Sequence, residues 1–528
     1  MQPQCKEKLY VTTPIYYVNA KPHVGSLYST VLADVAARWG RLMGKQTLFA
    51  TGLDEHGQKV AAAATTAGMS PQQFVDALAP AFTHTWKMFD CSYDRFVRTT
   101  DPEHIRAVQQ WLQFLIDKGD VYKESYKGWY CAGEEAFITE KDLITEGHRV
   151  EPLCSYCGRP TKWLEEECYF FRLSAYQEKL LVFYHDHPDF IVPKERMQEV
   201  VAFVEAGLRD LSISRTSIQW GIPFPGDEQH VTYVWADALL NYATVIGYGK
   251  KGQEKDFAFW WPADIQVMGK DIVRFHAIYW LAFLMASDWQ APKHLLVHGW
   301  LKMGDQKMSK SLGNVIDPIV LHEQYGSDAV RYYLTRYMTI TQDSPFSIED
   351  LESRITDDLA NDLGNLVSRV VALTTKYCPD SIQAPAQWAE PEQKLQQQAI
   401  QMLAQTTELM ESLFFARAYA RVWKFVQEVN SYVHAQSPWL VVKTDKKRFD
   451  EIMSALVHTI DLISLVCEPL IPQSVDKIRT AIGIDQLHST GEHSCLTNHL
   501  QPWLSTTAWN KTYHVKAIAP LFKKYGKE

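Results

Sequence analysis

Lys307-Met308-Ser309-Lys310-Ser311 sets two lysines three residues apart around a serine, a little past the middle of the 528 residues. Alone, such a pair is an ordinary solvated loop. Its flanks change the reading. Upstream, His294-Leu295-Leu296-Val297-His298-Gly299 is an apolar run short enough for a buried strand, and downstream Gly313-Asn314-Val315-Ile316-Asp317-Pro318 reads as a turn before a helix. Two ammonium groups on a mobile loop past a strand's carboxyl end stand where open α/β sheets bind ligands. They suit a nucleotide triphosphate, whose charge must be met as it shifts during transfer. A second group, His23-Val24-Gly25-Ser26, follows the β-rich run Leu9–Thr13 and opens a helical pattern through Arg41, with Leu27, Val31, Val35 and Trp39 recurring every four residues. Histidine and glycine at a helix N-terminus put backbone N–H groups and the dipole's positive end where a phosphate can sit; the alternative is a histidine that merely caps the helix. A third group, Gly52-Leu53-Asp54-Glu55-His56-Gly57, ends the run Thr47–Thr51. Asp54 can accept an ammonium group there, or cap the next helix.

The elements that must position these groups are strands alternating with helices, the pattern of a parallel sheet. From Tyr122 to about Pro225 turns and acidic runs take over, so a long insertion splits two halves of one nucleotide-binding sheet. Cys131 and Glu134, followed by Cys154 and Cys157, resemble a pair of Cys-x2-Cys knuckles in which glutamate replaces one cysteine. If zinc is bound, Cys131, Cys154 and Cys157 are its ligands; the other reading is a knuckle whose packing no longer needs metal. Beyond about Tyr325 the strands are expected to stop and a helical bundle to begin, with amphipathic helices around Leu359–Val370, Phe414–Val433 and Leu456–Ile471.

Composition narrows the class. Two to four domains are expected at this length. A hydrophobic share of 46% and a charged share of 22% are those of a soluble globular protein. No apolar run reaches membrane-spanning length, no hydrophobic signal core opens the chain, and nine cysteines argue against a disulfide framework, so a cytoplasmic protein is expected. The net charge of −9 gives no general sign of nucleic-acid binding, although local basic patches can still hold phosphates.

His23-Val-Gly-Ser and Lys307-Met-Ser-Lys-Ser resemble the paired signatures of class I aminoacyl-tRNA synthetases. Pro14-Ile-Tyr-Tyr-Val-Asn19, Thr51-Gly-Leu-Asp-Glu-His-Gly57, Tyr233-Val-Trp-Ala-Asp237 and Gly269-Lys-Asp-Ile272 extend the likeness to the methionyl-tRNA synthetase family of bacterial and mitochondrial type, over about residues 8–480. The resemblance implies a Rossmann-type catalytic domain (1–120 and 226–320) split by a connective insertion (121–225). A junction (321–355) and a helical anticodon-binding domain with its tail (356–528) would follow. It implies L-methionine, ATP with Mg2+, and tRNA(Met) as partners, no membrane, and a monomer.

On that resemblance His23, Gly25, Lys307 and Lys310 are catalytic. ATP would also meet Ser26, Lys270, Asp271, His298, Gly299 and Ser309. Methionine would lie among Ile15, Tyr17, Trp235, Leu239, Tyr242, Ile272, Phe275, His276 and Trp280, with Asp54 at its ammonium. Asn365, Arg369 and Trp439 would face the anticodon. The first signature ends in Ser26 where the family usually carries a second histidine; a hydroxyl can still hydrogen-bond a phosphate or ribose. Related synthetases for leucine, valine, isoleucine or cysteine, a tRNA-free nucleotidyl transferase, and a non-catalytic scaffold are the rival readings.

Overall fold

A computed structural model describes residues 7–131, 136–138, 140–145, 151–303, 306–307, 316–484 and 498–526. Seven strands make the central sheet: β1 (Lys8–Thr12), β2 (Tyr16–Tyr17), β3 (Gln46–Asp54), β4 (Arg95–Arg98), β5 (Ile191–Val192), β6 (Ile265–Gly269) and β7 (His294–His298). Every pairing among them is parallel. The order is β5-β7-β6-β1-β3, with β4 on the far side of β3 and β2 extending the β1 side past Pro14. β3 and β4 thus grow from one flank of β1, while β6 and β7 grow from the other. A crevice opens between β1 and β6 at their carboxyl ends, the place where such sheets take ligands. Helices cover both faces of the sheet, and all of Ile265–Gly269 is buried, its Gln266 included.

Helix α1 (Val24–Leu42) crosses this sheet against β1, β3 and β6. The four-residue period accounts for only one of its faces, yet nearly the whole helix is buried. The reason is a second layer: α2 (Ser327–Arg336), from beyond the sheet, packs on its other side. That side carries charge, neutralised internally. Asp34 accepts from Arg38 Nε at 2.8 Å and from Arg331 Nη2 at 2.7 Å, and Arg38 also pairs with Glu468. The two guanidinium groups beside Asp34 outweigh its burial and hold its carboxyl well below the usual carboxylate range.

The insertion contains an antiparallel sheet, Leu211–Ser212, Lys162–Phe171, Val121–Cys131 and Ala136–Ile138 in that spatial order. Within it, Ile191–Val192 returns to form the edge of the central sheet beside β7. After β7, Leu301–Met303 pairs antiparallel with Gln306–Lys307 and parallel with Ser344–Pro345. Lys307 therefore closes a hairpin opposite Lys302; Ser309 and Lys310 lie outside the described residues.

The C-terminal part is helical: a π-wound turn over Ile355–Gly364 runs into α3 (Asn365–Tyr377), then α4 (Glu390–Glu411), α5 (Phe415–Gln436), α6 (Lys446–Cys467) and α7 (Pro472–Ala481). Strands do not stop at Tyr325, as expected from sequence. Besides Ser344–Pro345, Ile382–Gln383 pairs with Thr512–Tyr513 and ties the end of the chain to the bundle. Helix α6 starts at Lys446 rather than Leu456: behind a polar first turn, Lys446-Lys447-Arg448, buried Phe449, Ile452 and Met453 already carry the apolar period.

Candidate active site

The crevice holds a cavity of about 290 Å³. Its lining comes from the carboxyl end of every strand around the switch point. Pro14, Ile15, Tyr16 and Tyr17 follow β1, Asp54 ends β3, Asp271, Ile272 and His276 follow β6, and His298, Gly299, Trp300 and Leu301 follow β7. The first turns of α1 add His23, Gly25, Ser26, Tyr28 and Ser29, and the segment 235–242 adds Trp235, Ala238, Leu239, Asn241 and Tyr242. Of the residues expected here, Lys270, Phe275 and Trp280 do not line the cavity; they stand one layer away.

At one end the first turn of α1 is locked. The Gly25 N–H donates to His23 Nδ1 at 3.0 Å, while Ser26 Oγ accepts from the His23 N–H at 3.0 Å and donates to its carbonyl at 2.7 Å. His23 is therefore both the helix cap and a wall of the cavity. Because Nδ1 accepts, the ring proton lies on Nε2. Gly25 is required by space: a Cβ would stand 2.9 Å from His23 Cε1 and 3.0 Å from Nδ1. Ser26 completes the cap.

Across the crevice, His298 Nδ1 donates to the Gly299 carbonyl at 2.8 Å, and Nε2 accepts from Ser29 Oγ at 2.6 Å. Burial pushes His298 below the ordinary histidine value, so the ring is a neutral, fixed wall. A Cβ on Gly299 would stand 2.3 Å from the Gln342 carbonyl oxygen, so the chain passes there with no room for a side chain. Lys270 is held back by Asp343, Nζ to Oδ1 2.7 Å, and its ammonium lies 4.0 Å from the centre of the Trp300 ring. Lys302 reaches the other oxygen of Asp343 at 3.3 Å. Asp343 is held below the usual carboxylate range: Lys270 and Lys302, with the Trp300 N–H, outweigh its desolvation.

At the other end the polar atoms are paired among themselves. Tyr242 donates its hydroxyl to His276 Nε2 at 2.7 Å, and His276 Nδ1 donates to the Ile272 carbonyl at 3.0 Å. Burial lowers the His276 pKa to about 4, leaving it neutral at pH 7. The surface offered to a ligand is thus aromatic and aliphatic. Phe275 stacks flat on Trp235, ring centres 3.9 Å apart at 5°, and so holds that ring from outside the cavity. Trp280 is buried behind Tyr242, 6.0 Å away. Asp54 is buried at the cavity wall. It does not cap the next helix, Gln58–Thr66, whose cap position is Gly57 with no side-chain bond.

The chain matches the family described as tRNA synthetases class I (M) over residues 9–371, and the anticodon binding domain of methionyl tRNA ligase over 382–514. It belongs to the methionyl-tRNA synthetase family. It is 42% identical to the methionine–tRNA ligase of Thermotoga maritima across 98% of this chain and 80% of that one. To the Brucella suis enzyme it is 41% identical, across 91% and 92%. A solved Mycobacterium tuberculosis methionyl-tRNA synthetase bound by methionyl-adenylate superposes with a TM-score of 0.90 at 36% identity, covering 98% of this chain and 100% of that one.

Two further groups of residues lie away from the cavity. The sulfurs of Cys131, Cys154 and Cys157 lie within 4.8 Å of one another, Cys131 and Cys157 at 3.4 Å. Tetrahedral zinc with bonds of about 2.3 Å separates thiolates by roughly 3.8 Å, so these three fit such an ion. Burial and the neighbouring thiols push Cys157 up to about 12. Glu134 lies outside the described residues. In the helical bundle, Asn365 is exposed and Arg369 half-buried on one face of α3, while Trp439 is 36% exposed just after Ser437, whose φ of 43° ends α5 abruptly. Trp439 falls inside the anticodon-domain match and the other two before it.

Sequence reasoning missed Tyr28, Ser29, Asn241 and Trp300. Ser29 stands three residues after Ser26, on the side of α1 that meets the cavity, and that spacing was the available signal. Nothing local marks the others.

Proposed function

We infer that the chain activates L-methionine with ATP to methionyl-adenylate and pyrophosphate, then transfers the methionyl group to the terminal ribose of tRNA(Met). The observation that carries this is one continuous cavity with a histidine-capped helix start at one end and an internally satisfied aromatic wall at the other. The methionine carboxylate is the nucleophile at the α-phosphorus, so positioning and charge stabilisation supply the catalysis. His23, donating through Nε2, holds the phosphates, with Gly25 leaving room for their close approach and Ser26 fixing the cap; Lys307 and Lys310 meet the charge on the leaving pyrophosphate, with Ser309 between them. Mg2+ enters with the triphosphate. His298, Gly299 and Asp271 border the adenosine, and Lys270 joins them on leaving Asp343. Asp54 receives the ammonium, and Ile15, Tyr17, Trp235, Leu239, Tyr242, Ile272 and His276 surround the thioether, with Phe275 and Trp280 as their backing. A neutral His276 already bonded to Tyr242 leaves no unmet polar group facing sulfur. Selection is then by shape, about 1–3 kcal/mol per methylene, so norleucine is also activated, more weakly.

Asn365, Arg369 and Trp439 read the anticodon by stacking and edge hydrogen bonds. Cys131, Cys154 and Cys157 hold a structural zinc, which when bound closes the knuckle of the insertion. Residues 1–120 and 226–320 form the catalytic domain, 121–225 its insertion, 321–355 the junction and 356–528 the anticodon-binding part; the enzyme works as a cytoplasmic monomer. Methionine-dependent ATP–pyrophosphate exchange without tRNA tests the first step. Exchange lost in Lys310→Ala and weaker with norleucine is expected. Absence of exchange in folded, unsubstituted protein refutes the activity.

A further inference from the structure

Asp237 is only 1% exposed, and both of its oxygens are occupied by histidines from different parts of the chain. Oδ2 accepts from His56 Nδ1 at 2.6 Å and Oδ1 from His104 Nε2 at 2.8 Å. The second nitrogen of His104, Nδ1, accepts from the Thr244 hydroxyl at 2.8 Å. His56 stands edge-on to Trp220, whose indole N–H donates to the Glu55 carbonyl at 2.7 Å. None of these side chains lines the cavity.

Their placement is what gives them a task. Trp235, Leu239 and Tyr242 turn one face of the segment 234–244 to the cavity, while Asp237 and Thr244, seven residues apart, turn the other face to His56 and His104. His56 in turn lies two residues after Asp54 on the loop that leaves β3. One carboxylate therefore ties the loop carrying Asp54 to the short helix carrying Trp235. Each imidazole also fixes a nitrogen on the carboxylate, so neither segment can slide without breaking a charge-assisted bond in a site closed to water.

We propose that Asp237, with His56 and His104, is a positioning group that sets the distance between the ammonium-binding and side-chain-binding ends of the methionine site. The inference rests on the function proposed above. The three residues touch no substrate and act only through Asp54 and Trp235. An amino acid is held at both ends, so a shift between the ends weakens its binding, whereas ATP, held by α1 and β7, is unaffected.

The test is pyrophosphate exchange with methionine and ATP varied separately, in the full chain, for Asp237→Asn, His56→Ala and His56→Asn. Asparagine can present an N–H where His56 Nδ1 stands; alanine cannot. Asp237→Asn and His56→Ala are expected to raise the KM for methionine about tenfold, near 1.4 kcal/mol, with the KM for ATP changed less than twofold. His56→Asn is expected to recover most of the loss seen in His56→Ala. A fall in kcat with the methionine KM unmoved is the mark of a merely structural role and overturns the proposal, as does His56→Asn behaving like His56→Ala. Should Asp237→Asn not fold, the His56 pair decides alone. Failure of the unsubstituted chain to exchange at all refutes the assigned reaction instead, so the two failures are distinct.

Discussion

Gly25→Ala isolates what the first turn of α1 does. The new Cβ would stand 2.9 Å from His23 Cε1 and 3.0 Å from Nδ1, and the only atoms in its way belong to that ring. The backbone need not move; the imidazole must. Two losses follow. The bond from the Gly25 N–H to Nδ1 is a helix cap, whose removal costs about 1 kcal/mol of stability. The displaced ring would also lose the phosphate hydrogen bond proposed for it, and bonds to charged groups are worth about 1.5–3 kcal/mol. Converted at 1.36 kcal/mol per decade, that is a fall of roughly 10- to 150-fold in kcat/KM for ATP. Pyrophosphate exchange should therefore show this loss with ATP varied, a methionine KM within about twofold, and a circular-dichroism spectrum unchanged. The sharper assay is a double-mutant cycle. In a His23→Ala background there is no ring to displace, so Gly25→Ala should cost less than about threefold. An equal loss in both backgrounds would mean that the glycine acts through something other than His23, and the reasoning would be wrong.

Three other outcomes are expected. Trp439→Ala should leave pyrophosphate exchange intact and lower aminoacylation of tRNA(Met) by about 10- to 100-fold, since stacking one base is worth about 1–3 kcal/mol; equal losses in both assays would remove Trp439 from the anticodon. Buried His276 and His458 have pKa values lowered to about 4, below the ordinary 6.5, so they stay neutral in the folded chain while the unfolded chain takes up protons. Stability should then be full above about pH 6.5 and decline as pH falls toward 4, each group contributing on the order of 3 kcal/mol. Urea midpoints at pH 7 and 4.5 would show it, and His458→Gln should flatten the difference. Metal analysis should find about one zinc per chain, lost in Cys154→Ser with exchange largely kept; a metal-free native chain would assign the three sulfurs to packing alone.

The ligand edge of the sheet was legible because its chemistry sits at local breaks in the pattern. Asp54 ends an apolar run, His23 opens a periodic one, and Gly299 follows a third, so type and spacing alone locate them. Depth was not legible. On a regular helix Ile272, His276 and Trp280 share one face, but π-winding over Phe275–Trp280 alters the repeat. Ile272 and His276 reach the cavity, Phe275 slides behind Trp235, and Trp280 drops behind Tyr242. Partners distant in sequence were equally hidden: Lys270 reads as an available cation until Asp343 is found beside it, and the burial of both faces of α1 depends on α2, some three hundred residues on. The start of α6 was legible in Phe449, Ile452 and Met453, which carry its apolar period behind a polar first turn.

The ionic cluster where α1, α2 and the end of α6 meet bears on how the chain can be taken apart. Asp34 and Arg38 on α1 balance each other, Arg331 from α2 brings the sum to one positive charge, and Glu468 at the end of α6 returns it to zero. A fragment ending before α6 would strand an excess guanidinium in an apolar seam, at a cost of several kcal/mol. The catalytic half is thus not a module that can be excised or fused at will. Any chimera that borrows an anticodon-binding half from a relative must bring a carboxylate to the place of Glu468, or change Arg38 with it.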